Sequence, residues 1–178
     1  MIKTERLEIR PLVLSDIDAL LPYHSDPDVV RYIPWTVRDR VEVMAYIKRV
    51  AVEFDPSTQG SYLMMGFTRL GDSQVIGQVN AGMESVADSN VSIGWVINPE
   101  HSGHGYAIEA VRGLLKFLVK EYGIRRFTAK IDQRNANSVR LAEKLGMRCE
   151  ATYVEDELFK GEWVSTYLYA ILARELDL

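Results

Sequence analysis

Residues 91–120 read VSIGWVINPEHSGHGYAIEAVRGLLKFLVK and decide the fold, because a strand, a glycine turn and a helix follow one another directly in this stretch. The apolar run Val91–Ile97 predicts the strand, and Asn98 and Pro99 end it, since proline has no N–H to donate to a neighbouring strand. From Ala107 onward, apolar residues recur every three or four positions, which is the spacing of an amphipathic helix.

The turn between this strand and this helix is suited to binding an anion. The first turn of a helix leaves its N–H groups unpaired and carries partial positive charge from the helix dipole. Gly103 and Gly105 let a phosphate approach the backbone where a side chain would block it. We interpret residues 103–107 as a site for the pyrophosphate of a nucleotide-like cofactor. The alternative is a turn without a ligand, and the dinucleotide fingerprint G-x-G-x-x-G fails here because Ile108 stands at its third glycine.

The run NPEHSGHGYAIEA in this stretch resembles motif A of the GNAT superfamily of N-acetyltransferases, whose Q/R-x-x-G-x-G/A turn binds the pyrophosphate of acetyl-CoA. Here that turn falls on Ser102-x-x-Gly105-x-Ala107, and Ser102 departs from the Gln or Arg of the family. A second match, Asn135-Ala-Asn-Ser138 with EKLGM after it, resembles the family's N-x-x-S…EKLGF segment. With the start TERLEIRPL, the resemblance covers nearly the whole chain and looks most like the RimJ/RimL branch.

The resemblance implies acetyl-CoA as the acetyl donor and assigns residues to it. It places the pyrophosphate on five turn residues, Gly103, His104, Gly105, Tyr106 and Ala107. It places the pantetheine arm along the backbone of three strand residues, Trp95, Val96 and Ile97. Asn135 would contact that arm, and the Ser138 hydroxyl would lie near the sulfur to stabilise or protonate the departing thiolate. Both residues are also explained as the N-cap region of a short helix.

The resemblance also implies a general base in the loop that the sequence predicts between the last two strands. RimL-like proteins use a Glu four residues before a Gly in this loop, and Glu157 has that position before Gly161. A simply solvated, charged hairpin is the alternative. A base is useful because an amine must be neutral to attack a thioester, and an α-amino group, with a reference pKa of about 7.7–8.0, loses its proton more easily than lysine. Glu109, at the helix start, is better explained by stabilisation from the dipole than by catalysis.

We therefore expect an acetyl-CoA-dependent N-acetyltransferase that acts on a primary amine, most like the enzymes of protein N-terminal α-amines. Two alternatives stay open. One is an acetyltransferase of a small-molecule amine such as an amino acid, a polyamine or an antibiotic, and the other is a non-catalytic acyl-CoA-binding sensor. The aromatic side chains Tyr32 and Trp35 either form a wall of the acceptor pocket or fill the core.

The order of the predicted elements favours the α+β class in one domain, residues 1–178. We expect a mixed, mostly antiparallel central sheet of about seven strands flanked by helices, including a helix over Val37–Phe54 and final strands over Met147–Glu155 and Trp163–Leu172. The strands on either side of the glycine turn and its helix should run parallel. The resemblance adds that this parallel pair splays apart and that acetyl-CoA lies in the gap.

Composition excludes several classes of protein. The net charge of −4 and the pI of about 5.4 argue against a general nucleic-acid binder. No run reaches the roughly 18 apolar residues of a membrane span, and the polar start of the chain does not read as a signal peptide. The single cysteine, Cys149, allows no internal disulfide and favours a reducing, cytoplasmic location. The resemblance leaves the oligomeric state open, with a homodimer paired through the last two strands as one option.

The three histidines do not predict a metal site. His24 and His101 read as surface residues, and His104 lies in the glycine turn, where it would border the phosphates. None of the three has the spacing of metal ligands, and Cys149 has no second cysteine to act with it. We therefore expect no metal.

Overall fold

The computed structural model describes residues 1–50 and 54–176, which form one sheet with helices packed on it. The strands are β1 (Ile2–Lys3), β2 (Leu7–Pro11), β3 (Tyr62–Arg69), β4 (Val75–Ser85), β5 (Asn90–Ile97), β6 (Arg126–Asp132), β7 (Arg148–Phe159) and β8 (Glu162–Leu172). The helices are α1 (Ile17–His24), α2 (Pro27–Val30), α3 (Arg40–Val50), α4 (Tyr106–Tyr122) and α5 (Ala136–Lys144).

The strand order is β1-β2-β3-β4-β5-β6-β8-β7, and every neighbouring pair is antiparallel except β5 and β6. This confirms the expected α+β class with its mostly antiparallel sheet and one parallel pair. The sheet has eight strands rather than about seven, because the two-residue strand β1 pairs Ile2 with Ile9 at one edge. Strand β7 forms the other edge.

The parallel pair is joined only at its beginning. β5 and β6 are in register from Asn90 opposite Arg126 to Ser92 opposite Thr128, and no pairing between them follows in the described chain. Beyond Ser92, β5 stays bonded to β4 and β6 stays bonded to β8, so the two strands diverge. The expected splay is confirmed, and it opens a gap in the middle of the sheet.

Each face of the sheet has its own hydrophobic core. On one face α4 buries an apolar stripe that includes Leu114, Leu115 and Leu118, all fully shielded from solvent. On the other face α1 and α3 pack on strand residues that include Met64 and Val75. Two glycines lie where a side chain would collide with the sheet or its flank, because a Cβ on Gly77 would lie 2.6 Å from the Val96 carbonyl oxygen and one on Gly66 would lie 2.6 Å from Leu12.

Helix α3 is shorter than the sequence predicts. It begins at Arg40 rather than Val37, because Asp39 and Glu42 form a capping box in which each carboxylate accepts the backbone N–H of the other residue, at 2.8 and 2.9 Å. Phe54 is buried but lies outside a helix, and the part of the prediction that falls on residues 51–53 lies outside the described residues.

The prediction of a longer loop between the last two strands is wrong. β7 and β8 continue to a two-residue turn, Lys160-Gly161, in which both residues have positive φ, 50° and 88°. Glu157 therefore lies on strand β7, opposite Val164. An irregularity between Tyr153 and Glu157 interrupts the pairing below the turn.

Candidate active site

The gap between β5 and β6 opens into a cavity of about 990 Å³. Four of the residues that the sequence assigns to the cofactor line it, Trp95 and Val96 on β5 and Asn135 and Ser138 at α5. Ile97 and residues 103–107 do not line this cavity. The structure thus brings together four of the residues expected around the pantetheine arm and the sulfur. The glycine turn lies outside this cavity.

The glycine turn has the backbone geometry of an anion site. Gly103 and Gly105 have φ of 83° and 80°, in the left-handed region that glycine adopts without strain. The backbone N–H groups of residues 103–108 donate to no acceptor in the described part of the chain. These unpaired donors stand at the positive end of the 17-residue helix α4. The side chain of His104 is exposed and stacks on the ring of Tyr106 at 5.6 Å.

A charged pair fixes the glycine turn to the start of the chain. The Glu109 carboxylate accepts hydrogen bonds from the Thr4 hydroxyl at 2.6 Å and from the backbone and side chain of Arg6 at 2.8 and 2.7 Å. Partial burial works against ionisation, but these hydrogen bonds outweigh it and lower the pKa of Glu109. Arg6 also donates to the carbonyl oxygen of His104 at 3.0 Å. Glu109 therefore holds the backbone of Arg6 beside the glycine turn, through contacts that the dipole interpretation did not include.

Asn135 caps helix α5. Its side-chain oxygen accepts the backbone N–H of Ser138 at 3.1 Å, which confirms the N-cap interpretation. The bond uses the backbone of Ser138 and leaves the Ser138 hydroxyl free for other partners. The cap thus sets the position of a hydroxyl that lines the cavity.

Glu157 does not line the cavity, but it contacts a residue that does. The carboxylates of Glu157 and Asp156 both lie 2.9 Å from the Nζ atom of Lys130, which is a cavity residue on β6. The irregularity in β7 brings these two successive carboxylates to the same ammonium group. Burial disfavours the charged form of Lys130, but its hydrogen bonds to the two carboxylates outweigh this and raise its pKa.

His24 is not a surface residue, which corrects the interpretation of the sequence. It is fully buried, and its Nε2 lies 2.6 Å from the side-chain oxygen of Gln78. Burial lowers the pKa of His24 to about 4, so the ring is neutral at pH 7. The Gln78 oxygen only accepts hydrogen bonds, so the proton sits on Nε2 and Nδ1 is an acceptor. His24 stacks on Trp35 with ring centroids 5.5 Å apart.

Of the two interpretations of Tyr32 and Trp35, the structure favours the wall of the pocket over the core. This aromatic wall contacts a cation, Arg38, that the sequence did not indicate. Tyr32 and Trp35 both line the cavity, together with Tyr46 of α3. The Arg38 guanidinium lies 4.5 Å from the centre of the Trp35 ring and 4.2 Å from that of Tyr46. Tyr46 was detectable in the sequence, since it falls three residues after Val43 on the apolar face of α3. Arg38 carried no such signal, because its contacts are all tertiary.

Within residues 1–50 and 54–176, no three His, Cys, Asp or Glu side chains are grouped as metal ligands would be. Across the same residues, no helix is long and apolar enough to cross a bilayer.

The structure combines a split parallel strand pair, a cavity in the gap and unpaired N–H groups at the start of α4. Residues 6–148 match the family described as Acetyltransferase (GNAT) domain. The chain belongs to this family and is an acetyltransferase of the GNAT type.

Two similar proteins span the whole chain. The uncharacterized N-acetyltransferase YnaD of Bacillus subtilis is 31% identical and covers 98% of both sequences. The crystal structure of a GNAT-family acetyltransferase from Bacillus anthracis is 32% identical, has a TM-score of 0.85 and covers 98% of this chain and 99% of its own.

More distant structures share the fold alone. A RimL ribosomal L7/L12 α-N-protein acetyltransferase bound to coenzyme A is 17% identical, with a TM-score of 0.81 and 95% of each chain covered. The spermidine N-acetyltransferase of Vibrio cholerae, bound to CoA and spermine, is also 17% identical, with a TM-score of 0.80 and coverage of 97% and 99%. Since these two act on different amines, the fold leaves the acceptor undetermined.

Proposed function

We propose that the chain transfers the acetyl group of acetyl-CoA to a primary amine, and that this amine is the N-terminal α-amine of a protein. The observation that carries the proposal is the row of unpaired N–H groups at residues 103–108, next to a strand pair that splays beyond Ser92. The turn offers donors and a helix dipole to a pyrophosphate, and the gap offers a slot for the arm attached to it. RimL and the Vibrio spermidine enzyme have this fold and were solved with CoA.

The bound donor supplies an acetyl group activated as a thioester, and the residues of the chain orient it. Beyond Ser92, β5 has no partner on its β6 side, so the N–H groups that face this gap can donate to the pantetheine arm and to the thioester carbonyl oxygen. Along Trp95, Val96 and Ile97, such donors would stabilise the charge that develops on that oxygen. The Ser138 hydroxyl, in a position fixed by the Asn135 cap, would stabilise the departing thiolate with a hydrogen bond, or would protonate it and regain its proton from water.

The attacking amine must lose a proton, and we assign this step to Glu157. Its carboxylate reaches the cavity through Lys130, 2.9 Å away, so a proton from the amine would pass to it by way of a water molecule. An α-amine suits this arrangement, because at pH 7 a useful fraction of α-amino groups is already neutral.

The experiment is thiol release from acetyl-CoA over a panel of amines, with wild type, Glu157→Gln and the matched control Glu155→Gln. Glu155 lies on the same strand and is exposed. The panel contains peptides with varied N-terminal residues, free amino acids, polyamines and aminoglycosides. We expect turnover of peptides, a fall in kcat of about a hundredfold in Glu157→Gln, as is typical for loss of a general base, and no change in Glu155→Gln.

Other outcomes redirect the proposal. If only a small amine is turned over, the acceptor is a metabolite or an antibiotic and not a protein N-terminus. Turnover that Glu157→Gln leaves unchanged would remove Glu157 from the mechanism. Binding of acetyl-CoA without turnover of any amine would contradict catalysis and favour a sensor.

A further inference from the structure

We propose that the amine acceptor carries an anionic group, a carboxylate or a phosphate, and that Arg38 binds this group inside the cavity. The inference rests on the proposed acetyl transfer and narrows the class of its substrate. It separates acidic acceptors, such as peptides with an acidic residue near the N-terminus, from polyamines, which carry only positive charge.

Arg38 is held rigidly in the wall of the cavity. Its guanidinium packs against both the Trp35 and the Tyr46 ring, whose centroids are 5.9 Å apart, and its Nη1 is 3.3 Å from Nδ1 of His24. Its backbone N–H donates to the His24 carbonyl oxygen at 3.0 Å. The His24 ring is fixed in turn by its hydrogen bond to Gln78. A guanidinium positioned in this way loses little conformational entropy when it binds a carboxylate or a phosphate.

Arg38 has no charged partner within the described chain. No carboxylate of residues 1–50 and 54–176 lies within salt-bridge distance of it. Glu42, which lies nearby in sequence, uses its carboxylate in the capping box of α3. Partial burial lowers the pKa of Arg38, and the nearby charge of Glu42 offsets the desolvation of this cation only in part. An anionic ligand would compensate for it.

The other charged residues that line the cavity are Arg49, Lys130, Asp55 and Asp132. Three of them already have partners. Lys130 is paired with two carboxylates of β7, Asp132 is paired with Arg134 at 2.7 Å, and Asp55 accepts hydrogen bonds from Ser57 and Thr58. Asp55 stays charged, and Arg38 and Arg49 are the cavity cations that have no carboxylate at salt-bridge distance in the described part of the chain.

Trp35 adds a neutral donor at the same place. Its indole Nε1 is buried and has no hydrogen-bond partner in the described part of the chain. Trp35 lines the cavity and stacks against Arg38. A buried N–H without an acceptor is costly, and an oxygen of an anionic ligand would satisfy it.

The test uses acceptor twins, which are pairs of peptides that differ only in one anionic group. Peptides with Glu at the second position are compared with Gln twins, and phosphoserine peptides with serine twins, so that the two arms distinguish a carboxylate from a phosphate. Each pair is measured with wild type, Arg38→Gln and Arg40→Gln. Arg40 is the matched control, because it lies at the start of α3 and is paired with Asp18 outside the cavity. A third variant, Arg38→Lys, keeps the charge but loses the planar group.

We expect wild type to favour at least one charged twin by about tenfold or more in kcat/KM, the ratio expected of one charge-assisted hydrogen-bonded pair. Arg38→Gln should abolish this preference, Arg38→Lys should keep part of it, and Arg40→Gln should keep all of it. Equal turnover of the twins by wild type, or faster turnover of polyamines than of charged peptides, would overturn the proposal while acetyl transfer itself stands.

A second readout does not depend on catalysis. Binding of the N-acetylated peptides, which are the reaction products, is followed by tryptophan fluorescence in the presence of CoA. If no amine is acetylated, the proposed function fails, and this binding still decides the anion site. Tighter binding of the charged products that is lost in Arg38→Gln supports the site, and equal binding of charged and neutral products overturns it.

Discussion

The carboxylate of Glu109 accepts the backbone N–H of Arg6 at 2.8 Å and its side-chain Nε at 2.7 Å. Residues separated by 103 positions are thus joined at the first turn of α4. The same guanidinium donates to the carbonyl oxygen of His104, inside the glycine turn. The conformation of the turn therefore depends on the segment between β1 and β2 as well as on its own glycines.

Substitution of Glu109 tests this support. Glu109→Gln removes the charge that holds Arg6 and should lower the free energy of unfolding by about 1 kcal/mol, since the pair is partly exposed. It should also weaken CoA binding several-fold while leaving kcat with saturating acetyl-CoA unchanged. Denaturant unfolding and calorimetric titration measure the two effects. Glu121→Gln, at the exposed end of the same helix, is the control, and a large fall in kcat would instead place Glu109 in the chemistry.

Substitutions should show that Asn135 has a structural role and Ser138 a chemical one. Asn135→Ala removes the cap of α5 and should lower the free energy of unfolding by about 1 kcal/mol. Ser138→Ala keeps the cap, because the cap uses the Ser138 backbone, and should lower kcat by at least about tenfold with little loss of stability. Thermal unfolding and steady-state kinetics give both values. A normal kcat in Ser138→Ala would assign protonation of the thiolate to water.

The buried His24 should make stability depend on pH. Its pKa is lowered to about 4 in the folded chain, while the unfolded chain takes up a proton near 6.5. Above pH 6.5 neither state is protonated, and as the pH falls below 6.5 the unfolded state gains protons that the folded state does not bind. Stability should therefore fall by about 2 kcal/mol between pH 7.5 and 5.

The comparison with His24→Gln isolates this effect. Carboxylates whose pKa is lowered, such as Asp132, destabilise the fold mainly at lower pH. Urea unfolding at several pH values should show a steeper slope for wild type than for the variant between pH 6.5 and 5. Equal slopes would mean that His24 takes up a proton in the folded state.

Lys160, in the turn between β7 and β8, should shape the acceptor site from a distance. Its ammonium donates to the carbonyl oxygens of Val30 at 2.6 Å and Trp35 at 2.8 Å, so the hairpin holds the segment that carries the aromatic wall. Lys160→Met should raise the KM of the acceptor several-fold and leave the KM of acetyl-CoA unchanged. An effect on both constants in the steady-state kinetics would indicate general unfolding of the site.

Local patterns in the sequence predicted much of the framework. Helix α4 and strand β5 follow from apolar periodicity, and Gly123 ends α4 with φ of 65° as a C-cap. Both strands of the last pair were predicted, but the continuation of β7 to Phe159 was missed because β7 is an exposed edge strand. Exposure removes the alternation of apolar and polar residues that reveals a strand, so its charged end read as a loop.

The acceptor end of the cavity was less accessible to sequence reasoning. Tyr32 and Trp35 were identified as candidates, but the burial of His24 depends on Gln78, which is 54 positions away. Arg38 likewise acquires its environment from rings on two separate elements. Polar clusters of this kind follow from tertiary packing and have no period in the chain.

Calorimetric binding tests whether the N–H groups of residues 103–108 hold the pyrophosphate of acetyl-CoA. The two ligands are CoA and pantetheine, which lacks the pyrophosphate. The variants are Gly105→Ala and, as control, Gly123→Ala, whose glycine has a similar positive φ at the other end of α4. We predict that wild type binds CoA far more tightly than pantetheine, and that Gly105→Ala alone weakens CoA by about tenfold or more, as expected when one charge-assisted contact is lost. Equal binding of CoA and pantetheine, or equal effects of the two substitutions, would contradict the account.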